Sequence, residues 1–476
     1  MSDYPLVIIG GGLSGLAAGI RFARFGQKVL ILEKHSKPGG LNSYYYRQGR
    51  LFETGLHAIT NYAPPGIKHA PLNRLLRQLK IPRKQFITRQ QLSSEIHFQG
   101  RKTLRFTNDF SSFLDEVLQN FPRQAEGFKK LVDEMDNFEP LRLQPRISTR
   151  KILAEFLNDN LLIDMLLCPT MFYGSSEEHD IDFSQFVIMF RSIFQEGFFR
   201  PENTIKDLLD SLVAQLQNFG GEIRFKTGVA EILTETDGES NRITGVKLDS
   251  GEVIDCSFLL TTIGSLETEK LFPQPSAVPA IPSKKEKNPT ARLGFMESIY
   301  LLPRDKVLEL SKGRTIIFYN LAEKFNYRQP SDPLDLQSGI ICFPENFAGV
   351  APKDLHQLKV THLANYDSWN SAFQSGMETY RKLKNEWGEL SRESVGKIIG
   401  KYSENIVYED SFTPVTIEKY TAKFRGAIYG SPEKVKDGRT NYDNLFLAGT
   451  DQGFLGIVGS MLSGVTIINQ HILTKI

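Results

Sequence analysis

The stretch that decides the fold is Leu6-Val7-Ile8-Ile9-Gly10-Gly11-Gly12-Leu13-Ser14-Gly15. Its first four residues are apolar and mostly β-branched, a run that predicts a buried strand. Apolar residues at helical spacing follow the glycines, and residues 28–33 then form a second run of strand type. The stretch therefore predicts a strand–helix–strand unit of a parallel sheet.

The glycines of this unit form the pattern G-x-G-x-x-G at Gly10, Gly12 and Gly15. In a dinucleotide site the first glycine makes the tight turn, the second lets the backbone approach a pyrophosphate, and the third packs helix against strand. Glu33 ends the second strand, where a carboxylate accepts hydrogen bonds from the ribose hydroxyls of adenosine. We therefore predict a dinucleotide site at this end of the chain. The neighbouring residues assigned to it are Leu13, Ser14 and Lys34.

A second glycine pair, Gly39-Gly40, follows the second strand and precedes Leu41, and a later segment contains Gly55 and His57. A nicotinamide cofactor has no need of these glycines. A flavin dinucleotide is longer, so its pyrophosphate and ribityl chain pass close to this part of the backbone. The pattern therefore favours FAD, with all five residues at the cofactor.

The order of an acidic strand end, a Pro-Gly-Gly turn at residues 38–40 and an acidic-x-Gly segment at residues 53–55 resembles the FAD-binding amine oxidase superfamily. In that superfamily a terminal strand, turn and helix close over the ribityl chain and pyrimidine edge of FAD, and residues 444–460 are similar to this arrangement. No second G-x-G-x-x-G follows a strand, which argues against a separate NADPH domain. The further FAD contacts that the resemblance implies are Val229, Gly449, Asp451, Gly456, Ile457 and Val458.

Within the superfamily, residues 413–430 look very similar to the penultimate motif of the branch that contains carotenoid desaturases, carotenoid isomerases and retinol saturases. Amine oxidases themselves carry Ala-Gly-Glu at the last strand, whereas residues 448–451 here read Ala-Gly-Thr-Asp. Two positions depart from the superfamily: Leu41 stands where Arg or Lys is common, and residues 201–204 read Pro-Glu-Asn-Thr instead of Pro-x-Gly-Gly. These departures bear on substrate preference rather than on the flavin.

The pattern along the chain and this resemblance imply an α/β fold with a Rossmann-like FAD-binding domain built from discontinuous segments. Residues 1–65, 201–275 and 431–476 are assigned to that domain, and residues 66–200 and 276–430 to an inserted substrate-binding domain. We expect the inserted domain to be mostly helical before residue 201 and to contain an antiparallel sheet after residue 289.

Composition excludes several classes of protein. Lys and Arg number 57 against 55 Asp and Glu, so the net charge of +2 provides no basic field for nucleic acid. The three cysteines are far apart and form no Cys-x-x-Cys pair, so we predict no metal site and expect a reducing, cytoplasmic location. Residues 452–474 are uncharged, but their glycines and polar residues favour a buried helix over a membrane anchor. Any contact with a membrane should therefore be peripheral.

Because the reactive atoms of a flavin enzyme lie on the cofactor, its protein mainly positions, shields and polarises the reactants. His57 is the candidate polar group beside the flavin ring, and a structural histidine is the alternative. Tyr429 is the candidate on the substrate side, and ordinary packing is its alternative. For Asp451 the alternative to FAD binding is a helix cap. A Phe-rich stretch at residues 183–199 forms either core or the wall of a site for a long apolar substrate.

These observations predict an FAD-dependent oxidoreductase that desaturates, saturates or isomerises the double bonds of an apolar polyene or isoprenoid lipid, carotenoid-like or retinoid-like. Its electron donor or acceptor is left open. Two alternatives share the fold: a flavin amine oxidase, and a non-enzymatic prenyl-lipid escort protein similar to Rab escort and GDP-dissociation inhibitor proteins. The glycine pattern and Glu33 remain suited to FAD, which disfavours the escort protein.

Overall fold

The computed structural model of the protein describes residues 4–55, 58–237, 240–273 and 292–476, so His57 lies outside the described residues. The strands are β1 (Tyr4–Ile9), β2 (Val29–Glu33), β3 (Tyr44–Arg47), β4 (Arg50–Glu53), β5 (Thr88–Gln90), β6 (Ser94–Phe98), β7 (Lys102–Phe106), β8 (Phe199–Pro201), β9 (Glu222–Phe225), β10 (Val229–Asp237), β11 (Ser240–Leu248), β12 (Val253–Thr261), β13 (Gly294–Pro303), β14 (Ile316–Asn320), β15 (Ser338–Cys342), β16 (Leu355–Ala364), β17 (Tyr408–Phe412) and β18 (Leu445–Leu447).

The α-helices are α1 (Leu13–Ala23), α2 (Pro71–Gln78), α3 (Phe110–Asn120), α4 (Ala125–Asn137), α5 (Thr149–Phe156), α6 (Asn160–Gly174), α7 (Phe183–Phe190), α8 (Ile205–Asn218), α9 (Ser265–Glu269), α10 (Arg304–Ser311), α11 (Tyr366–Gln374), α12 (Met377–Ile399), α13 (Pro414–Thr421) and α14 (Gly456–Ile467). Two π-helical segments, Arg191–Gln195 and Ile468–Ile472, continue α7 and α14.

The first sheet has the Rossmann-like core that the sequence predicts. Its strand order is β10-β11-β12-β1-β2-β9, and β18 pairs with β12. The strands β9, β2, β1, β12 and β18 run parallel, while β10 and β11 extend the sheet as an antiparallel ribbon. The strands of this sheet all fall within residues 4–33, 222–261 and 445–447, inside the segments assigned to the FAD-binding domain.

The last helix is buried against α1, as its glycines suggested. A Cβ on Gly464 would lie 2.1 Å from the Ser14 carbonyl oxygen, so only glycine lets the two helices approach this closely. Residues 456–475 form the one helix, within the described ranges, that is long and apolar enough to cross a membrane, and half of that window is buried inside the protein. The core helix of a folded domain passes the same test.

The second sheet has the order β17-β13-β16-β15-β14-β6-β7 and is antiparallel except where β14 pairs with β6. The expectation that residues before 201 are mostly helical was incomplete, because β6 and β7 lie there. Residues 94–106 alternate polar and apolar side chains around the turn at Gly100, which is a hairpin pattern. β6 then completes its hydrogen bonds on β14, about 220 residues along the chain.

The Phe-rich stretch is part of the main core of the inserted region. Phe186, Phe190 and Phe194 are fully buried, and Phe194 stacks on Phe113 of α3 with ring centroids 4.3 Å apart. The same aromatic cluster reaches the underside of the second sheet, where Phe198 contacts Phe318 of β14. The stretch therefore joins α7 to the sheet rather than forming an exposed surface.

Candidate cofactor site

The turn between β1 and α1 is shaped by its glycines. Gly10 has a φ of +105°, and a Cβ there would lie 2.6 Å from the hydroxyl oxygen of Thr262. A Cβ on Gly15 would lie 2.0 Å from the Gly10 carbonyl oxygen, so glycine is required for α1 to start this close to β1. At Gly12 the nearest atom is the Gly39 carbonyl oxygen, 3.9 Å away, so the backbone there faces open space.

This open space lies at the N-terminus of α1. No side chain caps the helix, and its first turn contains no acidic residue. The side chain of Leu13 is buried, and the Ser14 hydroxyl donates to the Ser460 carbonyl at 2.8 Å. Both side chains therefore contact the protein itself, and only the backbone of these residues faces the predicted site. The positive end of a helix dipole beside open space fits an anionic pyrophosphate.

A second glycine turn closes this space from the other side. The Gly39 N–H donates to the Gly11 carbonyl at 2.9 Å, and a Cβ on Gly40 would lie 3.7 Å from the Gly12 Cα. Gly39 and Gly40 have φ values of +110° and +57°, which favour glycine. The structure thus brings the two glycine motifs into direct contact, as a site for one long cofactor requires.

Glu33 lies beside the first glycine turn, at the end of β2. One carboxylate oxygen accepts the Gly11 N–H and the other accepts the His35 N–H, both at 2.7 Å. Burial raises the pKa of Glu33, and the two N–H groups oppose that shift in part. Because each carboxylate oxygen has a second lone pair, the position fits the predicted contact with ribose hydroxyls.

The other residues predicted for the first half of the cofactor lie around these turns. Gly55 has a φ of +63°, and a Cβ there would lie 3.0 Å from the Leu41 carbonyl oxygen, so the two segments are in contact. Lys34 is exposed, whereas Leu41 and Val229 are half-buried. A Cβ on Gly228, which precedes Val229, would lie 3.5 Å from the Cδ of Lys34. Their contacts with a cofactor stay predictions.

The C-terminal segment reaches the same place. Gly449 has a φ of +96°, and a Cβ there would lie 3.3 Å from the Ser14 hydroxyl oxygen. α14 begins at Gly456 without a side-chain cap, and Ile457 and Val458 in its first turn are buried. Two uncapped helix N-termini, those of α1 and α14, therefore belong to helices that cross at Ser14.

Asp451 is buried and holds two loops together. Its carboxylate accepts the N–H and the hydroxyl of Ser265, both at 2.6 Å, and the Ser431 N–H at 2.8 Å. Burial alone would raise the pKa of Asp451, but Lys423, Lys434 and the Ser265 hydrogen bonds hold it below its ordinary value. Asp451 does not cap α14, which has no side-chain cap. A direct contact between Asp451 and FAD stays a prediction.

Tyr429 lies between α6 and β13. Its hydroxyl donates to the Phe172 carbonyl at 2.6 Å, and its ring packs edge-on against Phe295 with centroids 5.8 Å apart. The Nζ of Lys434 donates to the Tyr429 carbonyl at 2.7 Å, and burial lowers the pKa of Lys434 to about 8. The hydroxyl proton of Tyr429 is thus engaged within the fold, and a role toward a substrate stays a prediction.

Sequence reasoning missed a buried ionic network next to the 53–55 segment. The Glu53 carboxylate is paired with Arg200 and accepts the Ile205 N–H at 2.7 Å. Lys359 Nζ donates to the Glu53 carbonyl at 2.9 Å and to the Glu297 carboxylate at 3.2 Å. Burial acts to raise the pKa of Glu53, but Arg200, the Ile205 N–H and Lys359 hold it below its ordinary value. The network connects β13 and β16 of the second sheet to β4. Glu53, in the acidic-x-Gly segment, was the one member of the network that the sequence pattern indicated.

Comparison with known proteins identifies the cofactor class. Residues 13–302 match the family model described as flavin containing amine oxidoreductase. All-trans-retinol 13,14-reductase of Danio rerio is 22% identical, over 99% of this chain and 87% of that protein. Chloroplastic prolycopene isomerase of Daucus carota is 21% identical, over 97% of this chain and 79% of that protein. An oxidoreductase from Methanosarcina mazei has a similar fold, with a TM-score of 0.65 and 17% identity over 98% of this chain and 100% of that chain.

These relatives agree with the predicted resemblance to the carotenoid and retinol branch. The matched range begins in α1 and covers the second glycine turn, Glu33 and the 53–55 segment. The paired glycine turns and the uncapped start of α1 therefore suit a flavin cofactor. The chain belongs to the family of flavin-containing amine oxidoreductases.

Proposed function

We propose that the protein is an FAD-dependent oxidoreductase that desaturates, saturates or isomerises the double bonds of an apolar polyene or isoprenoid lipid, carotenoid-like or retinoid-like. The observation that carries this proposal is the similarity, over nearly the whole chain, to relatives whose names specify retinol and prolycopene. Both compounds are conjugated polyenes. At 22% and 21% identity we infer from these relatives the class of substrate of this protein, but not the individual compound.

Two features support FAD rather than a flavin mononucleotide. Gly12 and the Gly39-Gly40 turn border open space at the start of α1, which suits a pyrophosphate. Glu33 stands at the end of β2, where an adenosine ribose is bound in dinucleotide sites. A mononucleotide has neither group.

A bound flavin supplies hydride exchange with a carbon–carbon double bond. The chain's own contribution is a dry, apolar environment for a hydrocarbon. Between α6 and the second sheet, Phe172 lies within aromatic contact of Phe295, Phe325 and Tyr327, with ring centroids 6.3, 6.0 and 5.4 Å apart. These four rings are buried in the main core, and a polyene site that borders them would exclude water. The ionic network at Glu53 holds this sheet in a fixed position against β4, next to the segment predicted to contact the cofactor.

The test is anaerobic reduction of the purified, FAD-loaded protein, followed by a panel of retinoids and carotenoids. Reoxidation of the flavin by a polyene indicates saturation. Conversion of the polyene without a net change in flavin absorbance indicates isomerisation, and reduction of the oxidised flavin by a polyene indicates desaturation. Absence of any product and of any flavin redox change across the panel overturns the proposal.

The same preparation tests the two alternatives. Release of hydrogen peroxide with simple amines, without polyene conversion, would identify an amine oxidase. A protein that stays colourless after FAD is added, yet binds prenylated peptides, would identify an escort protein.

We also propose that the substrate is taken up from a membrane surface through the loop at residues 139–146, between α4 and α5. Leu141 and Leu143 are 64% and 63% exposed, the highest values among the large apolar side chains of the described residues, and Arg142 between them is exposed as well. Apolar side chains beside a basic one suit a peripheral lipid contact. The Gln144 side chain donates to the Ser184 hydroxyl at 2.9 Å, which attaches this loop to the start of α7.

We propose a cytoplasmic location for the protein. Cys168, Cys256 and Cys342 are free and buried, which supports a reducing compartment. Fractionation of cells that express the chain, with thiol labelling after denaturation, tests this; a protein recovered from an oxidising compartment contradicts it.

A further inference from the structure

Tyr173, the residue before the last of α6, has a buried hydroxyl whose proton has no acceptor among the described residues. Its ring packs against Phe198 with centroids 5.2 Å apart and against Phe318 at 5.4 Å. Burying a hydroxyl without a partner is unfavourable, so such a group in a folded protein needs an explanation. One explanation is a ligand that the hydroxyl contacts when bound.

Other tyrosines of the same cluster have partners. The Tyr429 hydroxyl donates to the Phe172 carbonyl at 2.6 Å, and the Tyr327 hydroxyl donates to the Ser175 carbonyl at 3.0 Å. These two carbonyls belong to positions on either side of Tyr173 in the sequence. The carbonyls at the end of α6 thus accept the hydroxyl protons of Tyr429 and Tyr327, whereas the hydroxyl proton of Tyr173 has no acceptor within the described ranges.

Tyr173 lies next to the predicted position of the flavin ring. The Ala58 N–H is close enough to the Tyr173 oxygen to donate to it, which acts to lower the pKa of Tyr173, and Ala58 follows His57, the residue predicted beside the ring. A Cβ on Gly174, the next residue, would lie 3.3 Å from the Leu455 side chain, which precedes the first turn of α14. The end of α6 therefore lies against Ala58 and Leu455, which flank the two segments that are predicted to meet at the ring.

The surroundings keep this hydroxyl protonated. Burial raises the pKa of Tyr173 well above its ordinary value, Cys342, Tyr429 and Glu297 add to the shift, and the hydrogen bond from the Ala58 N–H opposes it in part. The hydroxyl therefore stays protonated at neutral pH. It is able to give a proton to a strongly basic carbon but not to remove one from a hydrocarbon.

We propose that the Tyr173 hydroxyl is the proton donor when a polyene double bond is saturated beside the flavin. This inference rests on the proposed function and specifies saturation as the direction of the reaction. One carbon of the double bond receives a hydride from reduced flavin, which is oxidised by two electrons. The other carbon receives the Tyr173 proton: the O–H bond breaks, a C–H bond forms, and water returns a proton to the tyrosine oxygen.

The test compares wild type with Tyr173→Phe, and Tyr327→Phe serves as a control for stability alone. Each protein is loaded with FAD, reduced anaerobically and given a polyene in D₂O. We expect Tyr173→Phe to slow product formation about a hundredfold, the lower range for loss of a general acid. Because the N5 hydrogen of reduced flavin also exchanges with D₂O, wild type should place one deuterium on each carbon of the former double bond. At the carbon that receives the proton, the deuterium should lie on a single face in wild type and on both faces in the residual product of the variant.

Two readouts without turnover separate proton donation from a structural role. Affinity of the oxidised proteins for the polyene should be the same in wild type and Tyr173→Phe. The melting temperature of Tyr173→Phe should fall less than that of Tyr327→Phe, because the hydroxyl proton of Tyr173 has no acceptor to lose in the described part of the chain. That of Tyr327→Phe should fall, because its hydroxyl has an acceptor at 3.0 Å.

The outcomes are distinguishable. If wild type saturates a polyene and Tyr173→Phe does so at the same rate and with the same facial selectivity, the role of Tyr173 is overturned and the proposed function stands. A melting temperature of Tyr173→Phe that falls as far as that of Tyr327→Phe also overturns the role. Isomerisation or desaturation by wild type without a solvent deuteron overturns it as well. If wild type converts no polyene, the proposed function fails and the role of Tyr173 fails with it.

Discussion

At the scale of single residues, Glu33 joins the first glycine turn to the predicted adenosine site. Its carboxylate already receives two backbone N–H groups, from Gly11 and His35, at 2.7 Å each. These bonds aim the carboxylate at the turn, and in a loaded protein the ribose hydroxyls add to them. The same side chain therefore shapes the site and binds the ligand.

Replacement of Glu33 by alanine should release FAD on dilution. Hydrogen bonds to a charged group contribute about 1.5–3 kcal/mol each, and losing about 3 kcal/mol weakens binding about a hundredfold. Glu33→Gln keeps the size and part of the hydrogen bonding, so it should lose less. The measurement is FAD affinity by flavin fluorescence, with Glu222→Ala, an exposed acidic residue on the adjacent strand, as the control. Unchanged affinity in Glu33→Ala would mean that the adenosine binds elsewhere.

Glu196 provides a test of pH dependence. Burial raises its pKa from 4.5 to about 7, and the hydrogen bond from the Asn61 side chain, at 2.7 Å, and Arg191 oppose the shift only in part. Between those two pH values the folded protein binds a proton that the unfolded chain has lost. Stability therefore falls as pH rises from 4.5 to 7, and the full penalty is present above pH 7.

Glu196→Gln should remove this penalty. At pH 8 we expect the variant to be more stable than wild type by about 1–3 kcal/mol, and at about pH 3 the two should be equal, because the carboxyl is then protonated in both states. The measurement is the free energy of unfolding in urea at both pH values. A difference of the same size at both would show that the effect is packing rather than ionisation.

At the scale of elements, α14 packs against the first turn of α1, which borders the open space of the predicted cofactor site. Gly464→Ala would place a Cβ 2.1 Å from the Ser14 carbonyl oxygen and so force the helices apart. We expect a loss of about 1–3 kcal/mol in the free energy of unfolding and a lower flavin content.

The control for Gly464 is Gly396→Ala in α12, where a Cβ meets nothing within 4 Å. There alanine should stabilise the protein by up to about 1 kcal/mol, because it is the better helix former. Thermal unfolding with flavin absorbance measures both variants. Normal flavin content and stability in Gly464→Ala would contradict the close packing of the two helices.

Other elements show where local patterns are insufficient. Residues 370–387 and 393–401 each have a helical pattern, yet one helix, α12, runs from 377 to 399 without interruption. The break lies earlier, at Gly376, whose φ of +116° favours glycine. Ser391 and Ser394 are buried on the second sheet, so tertiary packing carries the helix through a polar stretch.

At the scale of the whole molecule, substrate entry is proposed at the 139–146 loop. Leu141→Asp with Leu143→Asp should weaken binding to vesicles of anionic phospholipid at least tenfold, since each leucine that enters the lipid contributes about 1.5 kcal/mol or more. Co-sedimentation measures this, and polyene conversion in detergent should be unchanged. Leu308→Asp, an exposed leucine on α10, is the control. An equal loss in the control would show that the loop is not the contact.

The sequence by itself determined the parallel core, the flavin class and the family. These features rest on short-range requirements: a glycine where the backbone must take a positive φ or approach a neighbour, and a carboxylate at the end of a strand. Gly10, with its φ of +105°, and Gly15, where a Cβ would meet the Gly10 carbonyl oxygen at 2.0 Å, illustrate this. Such constraints act between residues that are at most about 30 positions apart in the sequence, so a sequence pattern reveals them.

Only the tertiary structure decided which polar side chains face one another. Arg200 and Lys359 meet at Glu53, although they lie about 150 and 300 residues away from it. The Asp451 carboxylate accepts hydrogen bonds from Ser265 and Ser431, and the hydroxyl proton of Tyr173, unlike that of Tyr429, has no acceptor among the described residues. The physical reason is that burial and hydrogen-bond partners depend on contacts between distant segments, and no local pattern of residue types encodes which segments meet.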